Sequence, residues 1–136
     1  MSAAAALRVG DAIPGLKLPA LTAGDLARYA EASGDRAAVH LDEAYARDMG
    51  FPGVIAHGLL VMAYLGRTLT DWQPLSRLRS FSCRFQAVTL MGERLECRGV
   101  VVAVRALAQE RLVDLELEVV NQDAELKITG KATLQL

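Results

Sequence analysis

The sequence predicts an α+β domain in which a curved antiparallel sheet wraps around one long helix. Residues 59–65, LLVMAYL, are apolar on every side of a helical projection, and a helix of that kind must be enclosed. Beyond Pro74 the apolar period changes from helical to two, and each alternating segment offers one wet and one dry face. The connections between these segments are short, which makes the strands antiparallel neighbours. One enclosed helix and four or five strands with a single dry face pack most economically as a sheet curved around the helix. The 136 residues fit a single domain, 1–136, long enough to bury a core without staples.

The elements follow in order. Thr22 caps a first helix, with Asp25 placed favourably near its N-terminus. Leu26, Tyr29 and Ala30 recur at helical spacing to about Ser33, and Gly34 ends the run. Asp42 caps a short helix from Glu43 to Met49, stopped by Gly50. Phe51-Pro52-Gly53 is a turn, and the enclosed helix runs from Gly58 to about Leu69. In 77–87, Phe81, Cys83, Phe85 and Ala87 share one face. Gly92 opens a turn, after which Leu95, Cys97, Gly99, Val101 and Ala103 alternate with more exposed types. Val113, Leu115, Leu117 and Val119 form the third dry face, and Leu126, Ile128, Ala132, Leu134 and Leu136 the fourth. A turn centred on Gln122-Asp123 would set Glu118 opposite Lys127 and Asp114 opposite Lys131, which keeps both apolar faces on one side. Each such pair adds roughly 0.2–1 kcal/mol.

Composition excludes several classes. Net charge is −1, so no field of one sign invites nucleic acid or an anionic membrane. Ala3 to Leu7 is apolar but lacks a preceding basic region and meets Arg8 at once, so no signal peptide is expected. The uncharged run Met49 to Gly66 approaches membrane-spanning length, yet it holds Pro52, His57 and four glycines. A turn and a buried helix describe it better, and a soluble cytoplasmic protein is expected. Cys83 and Cys97 read as reduced core fillers. Two histidines and two distant cysteines make no zinc pattern, so no metal is expected. No serine sits in a nucleophile elbow and no glycine loop has phosphate-cradle spacing.

Two stretches carry chemistry. In SGDRAAVH, Asp35 and His40 are separated by four residues in a loop after a helix. A carboxylate beside an imidazole suits general acid–base work, because it orients the ring and tunes its pKa. The same spacing also fits a turn aspartate and a capping histidine. In GVIAHGLL, Gly58 begins the enclosed helix, whose first N–H groups lack internal partners and whose dipole is positive there. Such an end stabilises negative charge developing on a carbonyl oxygen. Gly58 equally fits relief of crowding where the helix enters the sheet. His57 alone reads as a positioned structural residue rather than a base.

The stretch ASGDRAAVHLDEAYARDMGFPGVIAHGLL resembles the MaoC-like, hot-dog-fold (R)-specific enoyl-thioester hydratases and (3R)-hydroxyacyl-thioester dehydratases. Their motif runs roughly S-G-D-x-N-P-[ILV]-H, then G-F-x-x-x-I-A-H-G-[ML]-L about a dozen residues later. CRFQAVTLMGERL resembles their R-F-x-x-P-V-x-x-G-[DE]-x-L segment, and the opening VGDAIPGLKLPALTAGDLARYAEASGD looks like the family's start. The likeness covers nearly the whole chain. It departs at Ala37-Ala38, where the family has Asn-Pro, and at Val88, where it has Pro. These changes remove a hydrogen-bonding side chain and two rigid prolines.

The resemblance implies a hot-dog fold, usually dimeric or of higher homo-oligomeric order, with Asp35 and His40 as the catalytic pair. It also implies that the Gly58 N–H binds a thioester carbonyl, with Ile55, Ala56 and His57 around it and the acyl chain near Leu59, Leu60 and Ala63. The activity implied is reversible hydration of trans-2-enoyl thioesters, or dehydration of (3R)-hydroxyacyl thioesters. CoA or the phosphopantetheine of an acyl carrier protein would be part of the substrate, with no separate cofactor. An acyl thioesterase and a catalytically impaired acyl-thioester-binding subunit of a hetero-oligomeric dehydratase are the alternatives.

Overall fold

The computed structural model describes residues 7–136; most of the Ala3–Leu7 run lies outside them. Strand β1 is Leu16–Lys17, followed by helix α1, Ala23–Ser33. Thr22 and Asp25 close a full capping box on α1, and Gly34 ends it in the left-handed region at φ 79. This is local chemistry, and it lies where the residue pattern predicts. A 3-10 turn, Ala38–His40, leads into α2, Glu43–Asp48, capped by Asp42 and followed by Gly50 at φ 96. Helix α3 spans Gly58–Trp72, one turn beyond the expected end at Leu69. Strands β2 (Leu78–Phe85), β3 (Glu96–Leu107), β4 (Glu110–Val120) and β5 (Leu126–Gln135) complete the chain.

The sheet is antiparallel with strand order β1-β3-β4-β5-β2. Its dry face carries Cys97, Val101, Val113, Leu115, Leu117, Val119, Ile128, Ala132 and Leu134, all buried against Leu60, Val61, Leu65 and Leu69 of α3. This is the hot-dog arrangement of a sheet curled around one helix. Among the described residues no helix is long and apolar enough to cross a membrane.

Two expectations need correction. The first concerns enclosure of α3. Leu59 is 62% exposed and Ala63 is also open, while Leu60, Val61 and Leu65 point into the core. One chain's sheet covers one side of the helix, and the apolar residues on the other side face outward. The second concerns the β4–β5 register. Glu116, not Asp114, stands opposite Lys131, and Glu118 stands opposite Thr129. The connection is longer than a two-residue turn. The Asn121 side-chain oxygen accepts from the N–H groups of Asp123 and Glu125, and Ala124 takes a positive φ of 60. A register irregularity at Val119/Val120 accompanies it. The strands slide by two residues, so the dry faces still coincide, but Lys127 loses its predicted partner and is drawn inside the protein.

Both cysteines are free, with Cys97 buried in β3 and Cys83 partly buried in β2. Burial pushes the Cys97 thiol up from 9.0 to about 11. The folded state therefore holds this proton more tightly than the unfolded chain does. Its contribution to stability is whole below pH 9.0 and is lost as the pH rises through about 11. Iodoacetamide at pH ~8 should modify Cys83 first and Cys97 only on unfolding; equal rates in the folded protein would contradict this.

Candidate active site

The site is assembled by three short segments. The first follows α1. Gly34 turns the chain, and the Asp35 N–H donates to Ser33 Oγ at 3.1 Å. Asp35 Oδ1 accepts from the Ala37 N–H at 3.2 Å, an Asx-type turn that directs Oδ2 toward His40. The 3-10 turn at 38–40 then brings His40 back. Its Nε2 lies 3.8 Å from Asp35 Oδ2, and the carboxylate is half exposed while the imidazole is 11% exposed. That separation is too long for a direct hydrogen bond and leaves both atoms free to hold one small molecule.

The second segment, 54–57, fixes the imidazole. The Ile55 carbonyl lies 2.8 Å from His40 Nδ1. A carbonyl only accepts, so Nδ1 carries the hydrogen and the neutral ring presents the Nε2 lone pair to Asp35. The Ile55 N–H donates to the Val39 carbonyl at 3.2 Å, which closes the pair of segments. His57 is 2% exposed. Its Nε2–H donates to the Asp35 carbonyl at 3.0 Å, its ring stacks on His40 at 3.9 Å, and Tyr29 meets it edge-on at 4.8 Å. Buried in this way, His57 packs against both members of the pair. Its Nδ1 is buried without a partner among the described residues.

The third segment is the start of α3. The Leu60 and Val61 N–H groups return to the His57 carbonyl, whereas those of Gly58 and Leu59 have no partner among the described residues. Both residues are exposed. A Cβ at Gly58 would meet the Phe85 ring at 3.2 Å, so glycine keeps this helix end open.

The expected residues thus divide. Asp35 and His40 come together, and Gly58 follows His57, whose ring stacks on His40 and bonds the Asp35 carbonyl; Gly58, Leu59 and Ala63 are exposed. Ala56, His57 and Leu60 are buried and support the site from behind, and Ile55 contributes its carbonyl. A cleft of about 290 Å³ reaches His40 from the α1 side, between Ala23, Ala27, Leu41, Val54 and Met91. A larger cavity, about 540 Å³, lies on the charged face of the sheet near Arg98, Glu116 and Lys131, and includes none of the three reacting candidates.

Sequence reasoning missed Tyr29 as a partner of His57, and it missed the 88–93 loop as the support of 54–56. The Ala56 N–H donates to the Thr89 carbonyl at 2.7 Å and the Met91 N–H to the Val54 carbonyl at 3.2 Å. No local signal in the sequence announces that pairing.

Ligand atoms of Asp35, His40 and His57 all lie within 4.8 Å of one another. However, one nitrogen of each ring is already committed to a backbone carbonyl. Asp35 Oδ2, His40 Nε2 and the buried His57 Nδ1 are left without a hydrogen bond among the described residues.

Residues 11–123 match the model of the MaoC like domain family. A fatty acid synthase subunit beta of Aspergillus oryzae is 30% identical over 125 residues, 80% of this chain but 6% of that protein. The chain thus spans a small fraction of that relative's length. A mitochondrial 3-hydroxyacyl-[acyl-carrier-protein] dehydratase of Arabidopsis thaliana is 27% identical over 93% of this chain and 76% of its own. Among solved structures, the (R)-hydratase from A. caviae involved in PHA biosynthesis superposes with a TM-score of 0.82 at 26% identity, covering 96% of this chain and 98% of that one.

Proposed function

Because the chain belongs to the MaoC like domain family, we propose that it is a hydro-lyase that reversibly hydrates trans-2-enoyl thioesters to (3R)-hydroxyacyl thioesters. The observation that supports this reading is the 3.8 Å separation of Asp35 Oδ2 and His40 Nε2, together with the start of α3, next to the His57 ring that stacks on His40, where the Gly58 and Leu59 N–H groups have no partner among the described residues. A water held by both atoms would be aimed at C3 of the enoyl group. As its oxygen bonds to C3, one of its protons passes to the basic atom of the pair, and the electron pair of the double bond moves toward the thioester carbonyl. The Gly58 N–H stabilises the resulting enolate-like oxygen. The pair then returns a proton to C2 on the same face, which makes the addition syn. In reverse, it takes the C2 proton and protonates the departing hydroxide. His40 keeps one tautomer throughout, because Nδ1 is tied to Ile55.

CoA or a carrier-protein phosphopantetheine would form part of the substrate, and no further cofactor enters the steps. The domain spans 1–136 in this reading, and the two separate free thiols fit the reducing cytoplasm. A homodimer or higher homo-oligomer belongs to the same reading. Leu59 and Ala63 on α3 and Phe85 on β2, an edge strand, are exposed apolar groups that a second copy would cover. Sedimentation velocity should give at least twice the chain's mass; a monomer at micromolar concentration would reject that part.

Incubation with crotonyl-CoA tests the activity. Loss of the enoyl absorbance, with (3R)-3-hydroxybutyryl-CoA as the chiral product, is the expected result. Release of free thiol without hydration would replace the proposal with a thioesterase. Binding with unchanged absorbance at every pH would replace it with a non-catalytic subunit.

A further inference from the structure

Lys127 is 2% exposed, yet its ammonium is fully engaged. Nζ donates to the Val88 carbonyl at 2.8 Å and to Glu125 Oε1 at 2.6 Å, and lies 3.0 Å from Glu93 Oε1. The backbone of the same residue grips the same loop, since its carbonyl accepts from the Gln86 N–H at 2.9 Å and the Ala87 N–H at 3.4 Å. Glu93 completes the clamp. Its Oε1 accepts from Asn121 Nδ2 at 2.6 Å and its Oε2 from the Leu90 N–H at 2.6 Å.

The clamped loop lies directly behind the site. Thr89, next to Val88, accepts the Ala56 N–H, and Leu90 pairs with Ile55. Ile55 in turn holds His40 Nδ1, and the chain reaches Gly58 three residues later. Burying an ammonium has a high desolvation cost unless it is paired and hydrogen-bonded. A methionine of similar volume would fill the space without that cost. What the ammonium adds is a directional bond to one backbone oxygen, at Val88.

We propose that Lys127 is a positioning residue, whose ammonium, bound to the Val88 carbonyl, fixes the 88–91 loop and through it the Ile55 carbonyl and the Gly58 helix end. This rests on the reading of Asp35, His40 and Gly58 as the reacting groups. Lys127 touches no substrate. It sets where His40 Nε2 and the Gly58 N–H stand relative to each other, and misplacement by about 1 Å can cost a rate factor of roughly 10².

The test uses two variants of the full chain. Lys127→Met leaves Glu93 buried beside an apolar stem and is expected to lower stability. The double variant Lys127→Met with Glu93→Gln removes the two buried charges, leaves the half-exposed Glu125 to solvent, and keeps an acceptor for the Leu90 N–H though not for Asn121 Nδ2, so it should recover part of that stability. In the double variant, kcat for crotonyl-CoA hydration should still fall roughly 10- to 100-fold, with KM moving less than about threefold. The chain has two histidines, so the imidazole ¹H–¹⁵N spectrum has two rings to assign. The His40 Nδ1–H signal should shift or broaden in both variants. A stable double variant with wild-type kcat and an unchanged His40 signal overturns the proposal. So does a double variant that does not fold, because Lys127 would then be a stability element. If the unmodified protein shows no hydration at all, the enzymatic reading fails, and the His40 signal alone decides whether the clamp acts on the ring.

Discussion

Asp35→Asn should lower kcat for enoyl-thioester hydration by roughly two to four orders of magnitude, the usual contribution of a positioned acid–base group. The fold should be untouched. The Asp35 carboxylate is half exposed, and its one intramolecular hydrogen bond, from the Ala37 N–H to Oδ1, can be kept by an amide oxygen. What changes is Oδ2, which becomes an NH₂ donor and can no longer accept a proton from water. His40→Ala should cost a similar factor in rate but also some stability. It leaves the Ile55 carbonyl without its donor and removes the ring that stacks on His57. An unsatisfied buried acceptor costs about 1–3 kcal/mol. The two variants therefore separate catalysis from folding, because only His40→Ala should move the unfolding midpoint appreciably. Rates within about threefold of wild type for Asp35→Asn, in a protein that hydrates crotonyl-CoA, would remove the carboxylate from the mechanism.

His57 completes this contrast. It is more deeply buried than His40, and it acts on the pair from behind through the Asp35 carbonyl and the stacked ring. The two histidines of the chain thus divide into one accessible at Nε2 and one committed to support. Their positions in the sequence suggest such a division, but burial establishes it.

The parts of the fold legible in the sequence are those decided within a few residues. The α1 capping box, the αL glycines at 34 and 50, and the period-two faces of β4, β5 and of β3 as far as Val101 depend on neighbours along the chain; past Val101 a register shift sets Val104, not Ala103, opposite the buried Val113. The Asp35 loop is legible for the same reason, since five residues suffice to bring the carboxylate and imidazole together. Lys127 was illegible because its environment depends on strand register. An Asn121-centred connection, rather than a two-residue turn, moved it from a wet pair with Glu118 to a buried place under Val88. The open side of α3 was illegible for a different reason. Apolar residues all round a helix require cover, but the pattern does not say that the cover must come from the same chain, and Leu59 is exposed within this one.

Gly58→Pro should reduce kcat by roughly 10²- to 10³-fold relative to Gly58→Ala, the range for losing one oxyanion donor. The comparison works because both variants add a Cβ at the same place, 3.2 Å from the Phe85 ring, which is 55% exposed and can swing aside. Only proline also deletes the N–H. The helix should accept it, because Gly58 is the first residue of α3, where proline's fixed φ is suitable and its missing donor breaks no intrahelical bond. The preceding residue is compatible too. His57 has φ −59 and ψ 130, in the extended region that a following proline requires. Stability of the two variants should therefore be similar, and binding of an unreactive saturated acyl-CoA should change less than kcat. A Gly58→Pro enzyme as fast as Gly58→Ala would mean that the thioester oxygen is stabilised elsewhere. The Leu59 N–H, likewise without a partner among the described residues, would then be the next donor to examine.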